Sequence, residues 1–222
     1  MVAIDGPAAS GKSTTAKLVA QRLRFMHLDT GAMYRAVTLV CLESQLAPQE
    51  SPQLTQLLAD LDIQFKTTGA DQCTLVDGRD VTMEIRSAEV TRQVSAFSAL
   101  PEIRERLLDM QRRIGAAHDV VCEGRDIGTR VFPDARFKFY LVADLEVRAQ
   151  RRLDELQLAG QQPSLAAIVE ELRERDREDS TREHSPLRKA EDAIIIDTTG
   201  LTIEEQVDLI AAHVETRLQQ GD

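Results

Sequence analysis

Residues 3–23 read AIDGPAASGKSTTAKLVAQRL, and the reading of this stretch decides the fold. Gly6-Pro7-Ala8-Ala9-Ser10-Gly11-Lys12-Ser13 fits the pattern GxxxxGK[ST]. Val2–Asp5 before it predicts a strand, and Ala16, Val19, Ala20 and Leu23 after it fall on one face of a helix. A strand, a glycine-bearing turn and a helix give the pattern a mechanism. The glycines let backbone N–H groups point into a concavity, and the helix N-terminus adds partial positive charge. The expected ligand is the phosphate chain of a nucleoside triphosphate such as ATP, cradled by Gly6, Pro7, Ala8, Ala9, Ser10, Gly11, Lys12, Ser13 and Thr14. Lys12 is expected to reach the β- and γ-phosphates, and Ser13 to help hold Mg²⁺.

Working outward, further apolar stretches read as buried parallel strands: Met26–Asp29, Val120–Glu123, Phe137–Val142 and Ala193–Asp197. Most are followed by a turn and a helical pattern, which predicts an α/β fold with helices on both faces of the sheet. The last unit is the clearest: Thr198-Thr199-Gly200 turn, Thr202 and Glu205 form a capping box, and Ile203, Val207, Ile210 and Val214 share a face. Two regions depart from the alternation. Between Leu61 and Val81, LDIQFK, QCTLVD and RDVTM read as small antiparallel strands joined by turns at TTGADQ and Asp77-Gly78. From Arg148 to Arg182 the chain is densely charged and reads as one helix ending at Gly160 and another starting at Pro163.

Composition narrows the function. The formal net charge of -10 disfavours a groove for a nucleic-acid polymer, but a local arginine cluster can still hold a small anion. Only five of the 27 basic residues are lysine, and there is no asparagine. Arginine suits bidentate phosphate grip, but the joint depletion of lysine and asparagine points to GC-rich coding as its cause. No apolar run approaches the ~20 residues of a membrane span, and Val2–Ile4 is too short for a signal peptide. The expectation is a soluble cytoplasmic protein of one domain with excursions. The three cysteines and four histidines have no metal-like spacing, so neither a disulfide nor a zinc site is expected.

A phosphate cradle fixes the ligand class and leaves the task open. A GTP switch wants an NKxD motif, which a chain without asparagine cannot contain. A motor-type ATPase wants a long apolar strand ending in adjacent acids, of which VVCEG and AIIID are weak versions. A small-molecule kinase needs a second anion site. The tripeptide Gly-Arg-Asp occurs twice, at 78–80 and at 124–126. The second copy follows the strand at Val120–Glu123, so it emerges at the carboxyl edge where ligands of open α/β sheets collect. The first follows a hairpin turn, so Arg79 and Asp80 are expected to be exposed. LDTGAMYRAV likewise places Asp29, Thr30, Tyr34 and Arg35 after a strand. Arg175, Asp179 and Arg182 fall on one helical face, but on sequence alone the segment reads as a solvated charged helix with pairs such as Glu171–Arg175 and Glu178–Arg182.

Taken together, IDGPAASGKST, LDTGAMYRA, VSAFSALPEIRE, EGRDIGTRVFPDA, LEVRAQRR, RERDREDSTRE and DAIIIDT resemble the bacterial cytidylate kinase (CMP/dCMP kinase) family over essentially the full chain. The resemblance implies a nucleoside monophosphate kinase: a three-layer P-loop fold with a five-stranded parallel core sheet (1–30, 114–147, 184–222), an NMP-binding excursion enlarged by a small antiparallel sheet (31–113), and a helical lid (148–183). It implies transfer of the ATP γ-phosphoryl group to CMP or dCMP, with Mg²⁺, by a monomer acting on small nucleotides. Another P-loop small-molecule kinase and a P-loop ATPase or switch are the alternatives. Residue by residue, it gives Arg35 and Arg125 to the CMP phosphate, with Tyr34 beside Arg35 in the same motif. Thr30, Ser95, Arg104 and Asp126 go to the cytosine or its border, Arg175 and Asp179 to the ribose, and Arg182 to the lid near the acceptor. Arg148 and Arg152 are lid arginines reaching the ATP phosphates and join Lys12 and Arg125 as the catalytic set. The family also tolerates serine where Thr30 stands. No motif position singles out Arg151, Arg177 or Arg188.

Overall fold

The computed structural model describes residues 1–68, 71–158 and 160–220. In chain order its elements are β1 (Val2–Asp5), α1 (Lys12–Leu23), β2 (Met26–Asp29), α2 (Thr30–Glu43), α3 (Pro52–Asp60), β3 (Ile63–Thr68), β4 (Asp71–Val76), β5 (Arg79–Asp80), α4 (Ala88–Ser98), α5 (Pro101–Ala117), β6 (Val120–Gly124), β7 (Phe137–Val142), α6 (Leu145–Leu158), α7 (Leu165–Thr181), β8 (Ile194–Asp197) and α8 (Ile203–Gln219). A short 3₁₀ turn covers Glu84–Arg86, and a π-helical turn covers Ile127–Val131. The chain divides into two compact units, Met1–His27 with the segment from Gly115 onward, and Leu28–Ile114.

The first unit is built on a five-stranded parallel sheet of order β2-β6-β1-β7-β8. β1 lies at its centre, parallel to β6 with Asp5 opposite Gly124 and to β7 with Asp5 opposite Tyr140. Val2 and Ile4 of β1, Val19 of α1, Phe137 and Phe139 of β7, and Val207, Ile210 and Val214 of α8 form one buried cluster. Burial of such side chains stabilises by roughly 1.5–3 kcal/mol each, so the alternation of apolar strand and amphipathic helix selects this layering. α8 begins with the expected capping box: Thr202 accepts from the Glu205 N–H while the Glu205 side chain accepts from Thr202. A second cluster of Ala8, Ala149, Ile168 and Leu172 packs α6 and α7 beside the P-loop.

The second unit carries α2 to α4, most of α5 and a three-stranded antiparallel sheet of order β3-β4-β5. β3 and β4 pair from Ile63–Val76 to Thr68–Asp71, and the centre of the expected turn, Gly69-Ala70, lies outside the described residues. Asp77 and Gly78 both take positive φ, 50° and 81°, as a two-residue hairpin turn with right-handed strand twist requires. Arg79 and Asp80 are therefore exposed, Arg79 on Glu43 and Asp80 on Thr82.

Two sequence expectations need correction. β8 is an edge strand, with Ile194 and Ile195 facing outward and only Ile196 buried, so its apolar run does not mean burial on both faces. α7 starts at Leu165 with Ser164 accepting from the Ala167 N–H, which leaves Pro163 outside the helix. A hydroxyl that satisfies a first-turn N–H outcompeted the preference of proline for that turn. No helix among the described residues is long and apolar enough to cross a membrane.

Candidate functional site

Gly11 ends the P-loop with φ 87°, a left-handed conformation, and α1 begins at the next residue without a side-chain cap or an acid in its first turn. Its first N–H groups are thus left for an anion. Gly6 answers a different need: a Cβ there would collide with the carbonyl of Leu141 on β7. The cradle is braced from behind. Thr198 Oγ1 donates to the Ser10 carbonyl (3.0 Å), and Arg151 donates to Thr198 O (2.5 Å) and Oγ1 (3.2 Å). Arg151, which no motif had singled out, therefore supports the P-loop from α6.

Lys12 is buried and its ammonium donates to the Pro7 carbonyl at 3.2 Å. Burial, then the charge of Arg125, push its pKa down to about 7, with Arg175 acting in the same sense and Glu123 and Asp179 opposing. Those four side chains therefore act electrostatically on the Lys12 ammonium. Ser13 Oγ donates to Glu123 Oε2 at 2.6 Å, and Glu123 Oε1 lies 3.4 Å from His27 Nε2. A hydroxyl and a carboxylate at the end of the neighbouring strand are oxygen donors suited to Mg²⁺, which keeps several waters and uses few protein ligands. Glu123 is not marked by any motif in the sequence, where VVCEG resembles only a weak motor-type strand. Its position at the end of the strand beside the P-loop strand was the available signal.

Gly124-Arg125-Asp126 follows β6 directly, as expected. Asp5 holds the next turn: its carboxylate accepts from the Ile127 and Gly128 N–H groups, each at 2.8 Å. Gly128 packs against Asp5, Lys138 and Ala190, so its missing side chain serves the interior and not an approach to ligand. Burial pushes the Asp5 carboxyl up to about 6, against those two hydrogen bonds. Folded protein thus keeps a proton that unfolded protein releases near pH 4. The stabilisation is complete below the unfolded pKa of 3.8 and is lost as pH rises through about 6. Over that window wild type is expected to lose about 3 kcal/mol relative to Asp5→Asn. Urea midpoints of both proteins from pH 4 to 7 check this, and a constant difference would remove Asp5 as the titrating group.

The side of α7 that carries Asp179 is not solvated, although exposed pairs Glu170–Arg173 and Glu174–Arg177 line the helix elsewhere. Asp179, buried, accepts from Arg125 Nε at 2.7 Å and from Arg182 Nη1 at 3.3 Å, and Arg182 Nε donates to the Ser185 carbonyl at 2.6 Å. Burial raises the Asp179 pKa, but Arg125, Arg182 and Arg175 outweigh it and hold the carboxyl below its usual range. Arg182 is the C-cap, past the last helical residue, and forms an ion pair with Asp179. Arg148 is buried and bound bidentately by Asp176 (3.2 and 2.6 Å), while Arg152, one turn on, pairs with Glu155.

In the second unit Asp29 caps α2, accepting from the Ala32 N–H at 2.8 Å, and its other oxygen lies 3.1 Å from Arg35 Nη2. Thr30, the first residue of α2, is buried. Arg104 of α5 lies over the Tyr34 ring, 5.3 Å from its centroid, and donates to the Ser98 carbonyl at 3.1 Å. Ser95 lies on α4, half-buried.

A cradle of this construction holds the phosphate chain of a nucleotide, and arginines gathered on α7 carboxylates suit a further anion; fold and site together define a nucleotide kinase of the P-loop class. The family model described as "Cytidylate kinase" matches residues 2–216, and the chain belongs to the cytidylate kinase family. It is similar to a cytidylate kinase of Geobacter sp. (strain M21), 47% identical over 222 residues covering 100% of this chain and 95% of that protein. It is similar also to one of Streptococcus pneumoniae (strain 70585), 47% identical over 218 residues covering 98% of each. Among solved structures, an uncharacterized protein from Eubacterium ventriosum ATCC 27560 shares the fold, with a TM-score of 0.54 at 12% identity, covering 96% of this chain and 97% of that one.

Proposed function

We propose that this chain transfers the γ-phosphoryl group of ATP to CMP and dCMP, as a cytoplasmic monomer that acts on small nucleotides and not on nucleic-acid polymers. The observation that carries the reading is the grouping, around one P-loop, of Ser13 on Glu123 and of Arg125 on Asp179. The acceptor is a phosphate oxygen that is already anionic, so no strong general base is required. The chemistry is positioning and charge neutralisation: two repelling phosphates are held in line and the charge between them is spread. Residues Gly6–Thr14 hold the ATP phosphates, with Lys12 on the transferred group. Arg35 and Arg125 hold the CMP phosphate, with Tyr34 alongside, and Arg148 and Arg152 add positive charge on the ATP side. Thr30, Ser95 and Arg104 border the base, Arg175 and Asp179 the ribose, and Arg182 the acceptor. Ser13, with Glu123, would hold Mg²⁺, which when bound neutralises and orients the phosphate chain. Arg125 meets its incoming phosphate by leaving or sharing Asp179, so acceptor binding exchanges one charged hydrogen bond for another.

Base choice rests on Asp126. Cytosine offers an amino donor at C4 where uracil offers a carbonyl acceptor, and a carboxylate accepts. The analogous reading of cytosine by Asp or Glu discriminates by ~1–3 kcal/mol. ADP release with CMP, dCMP and UMP is expected to show a clear preference for CMP over UMP. In Asp126→Asn the amide can donate to the uracil carbonyl, so the ratio of kcat/KM values should narrow or invert. An unchanged ratio would move base reading to Arg104 or Ser95, and ATP turnover indifferent to any acceptor would favour an ATPase.

A further inference from the structure

Arg148 spends most of its hydrogen-bonding capacity on the protein itself. Nε donates to the Ala143 carbonyl (3.1 Å) and Nη1 to the Ala8 carbonyl within the P-loop (3.1 Å). Nη1 and Nη2 then take the two oxygens of Asp176 at 3.2 and 2.6 Å. Of the five N–H donors of a guanidinium, four are engaged among the described residues, leaving one on Nη2. The Arg148 side chain is 7% exposed and that of Asp176 26%. A guanidinium this buried needs a counter-charge, and breaking such a pair from one side leaves an uncompensated charge. Asp176 therefore does more than decorate α7. It sits three residues before Asp179, and positions three apart share a helical face. One face of α7 thus holds two carboxylates, one on Arg148 and the other on Arg125.

We propose that Asp176 is a positioning residue: it fixes the Arg148 guanidinium against the Ala8 carbonyl, so that a charged hydrogen-bond link joins α6 and α7 to the P-loop and the remaining Nη2 hydrogen faces the ATP phosphates. The proposal rests on the kinase reading for the identity of the donor nucleotide. It adds that the effect of Asp176 runs wholly through Arg148 and is confined to the ATP side of the reaction.

A double-mutant cycle tests this. Asp176→Ala, Arg148→Ala and the double variant are compared for kcat/KM with ATP, for KM with CMP, and for the Kd of a non-hydrolysable ATP analogue. Asp176→Ala is expected to lower kcat/KM for ATP about tenfold or more, weaken the analogue, and leave KM for CMP within about twofold. In the Arg148→Ala background it should add nothing further. Asp176→Asn, isosteric but uncharged, takes its place in the same cycle should the alanine variant fail to fold. Equal losses from Asp176→Ala with and without Arg148, or a loss expressed in KM for CMP, would overturn the proposal. The analogue cycle needs no acceptor. A wild-type protein inactive on CMP would therefore sink the functional reading alone, while additivity in analogue binding would sink this one alone.

Discussion

Lys12→Ala is expected to lower kcat for CMP-dependent ADP formation by about a thousandfold while leaving the fold intact. The size follows from what the ammonium does. Removal of one preorganised donor from developing transition-state charge costs ~10²–10³ in rate, and the buried Lys12 brings a charge once phosphate beside it raises its pKa. The intact fold follows from what the ammonium does not do. It donates to one backbone carbonyl, that of Pro7, and burial has pushed its pKa down to about 7. A lysine whose pKa is depressed on folding costs stability below its unfolded pKa, because the unfolded chain binds the proton more tightly. The alanine variant should therefore melt at or above the wild-type temperature at pH 7. The same depression predicts proton uptake. Phosphate beside Lys12 raises its pKa again, so binding of an ATP analogue at pH 8 should draw a proton from the buffer, seen as a calorimetric enthalpy that changes with buffer ionisation heat. Lys12→Ala should lose that uptake. A variant that keeps a third of wild-type kcat, or one that unfolds, would mean the site is assembled differently.

What the sequence could and could not disclose divides along distance in the chain. The P-loop was legible because its parts are contiguous: strand, turn and helix lie within residues 2–23, and each element follows from local pattern. The capping box of α8 and the hairpin turn at Asp77-Gly78 were legible for the same reason. The partners of the site residues were not. Ser13 meets Glu123, Arg148 meets both Ala8 and Asp176, and Asp5 meets Gly128. These pairings are set by strand order and helix packing, which no local period encodes. Charge composition also misled on α7. Alternating acids and arginines read as a solvated helix with i, i+4 pairs, whereas two of its aspartates reach off the helix to arginines 54 and 28 residues away. The resemblance to a family supplied Arg125, Arg175 and Asp179 as substrate contacts, yet it did not supply the pairing of Arg125 with Asp179. Asp5, Glu123, Arg151 and Asp176 came only from the structure.

The two Gly-Arg-Asp tripeptides make a matched experiment on how much a residue owes to its place in the fold. Arg79→Ala should leave kinetics and stability close to wild type. Arg79 lies on a two-residue edge strand, 51% exposed, and its Nη2 meets both oxygens of an exposed Glu43 at 2.8 Å. Solvent screens such a pair and ordering two long side chains offsets its attraction. Arg125 has the same neighbours in sequence and the opposite setting: it follows a fully buried strand, its side chain is 16% exposed, and it is bound to a buried carboxylate. Loss of a charged phosphate contact costs ~3 kcal/mol, and each 1.4 kcal/mol is a factor of ten. Arg125→Ala should therefore lower kcat/KM for CMP about a hundredfold or more. Part of any loss could come from Asp179, left with Arg182 and Arg175 but without its nearest partner. Arg125→Lys separates the two contributions. Lysine can keep a charge beside Asp179 but lacks the planar fork that matches a phosphate, so it should restore thermal stability and not the hundredfold. If Arg79→Ala and Arg125→Ala cost the same, the strand that carries Arg125 does not open onto the site. If lysine restores activity in full, the grip on phosphate is one of charge alone and the bidentate geometry is not what the enzyme uses.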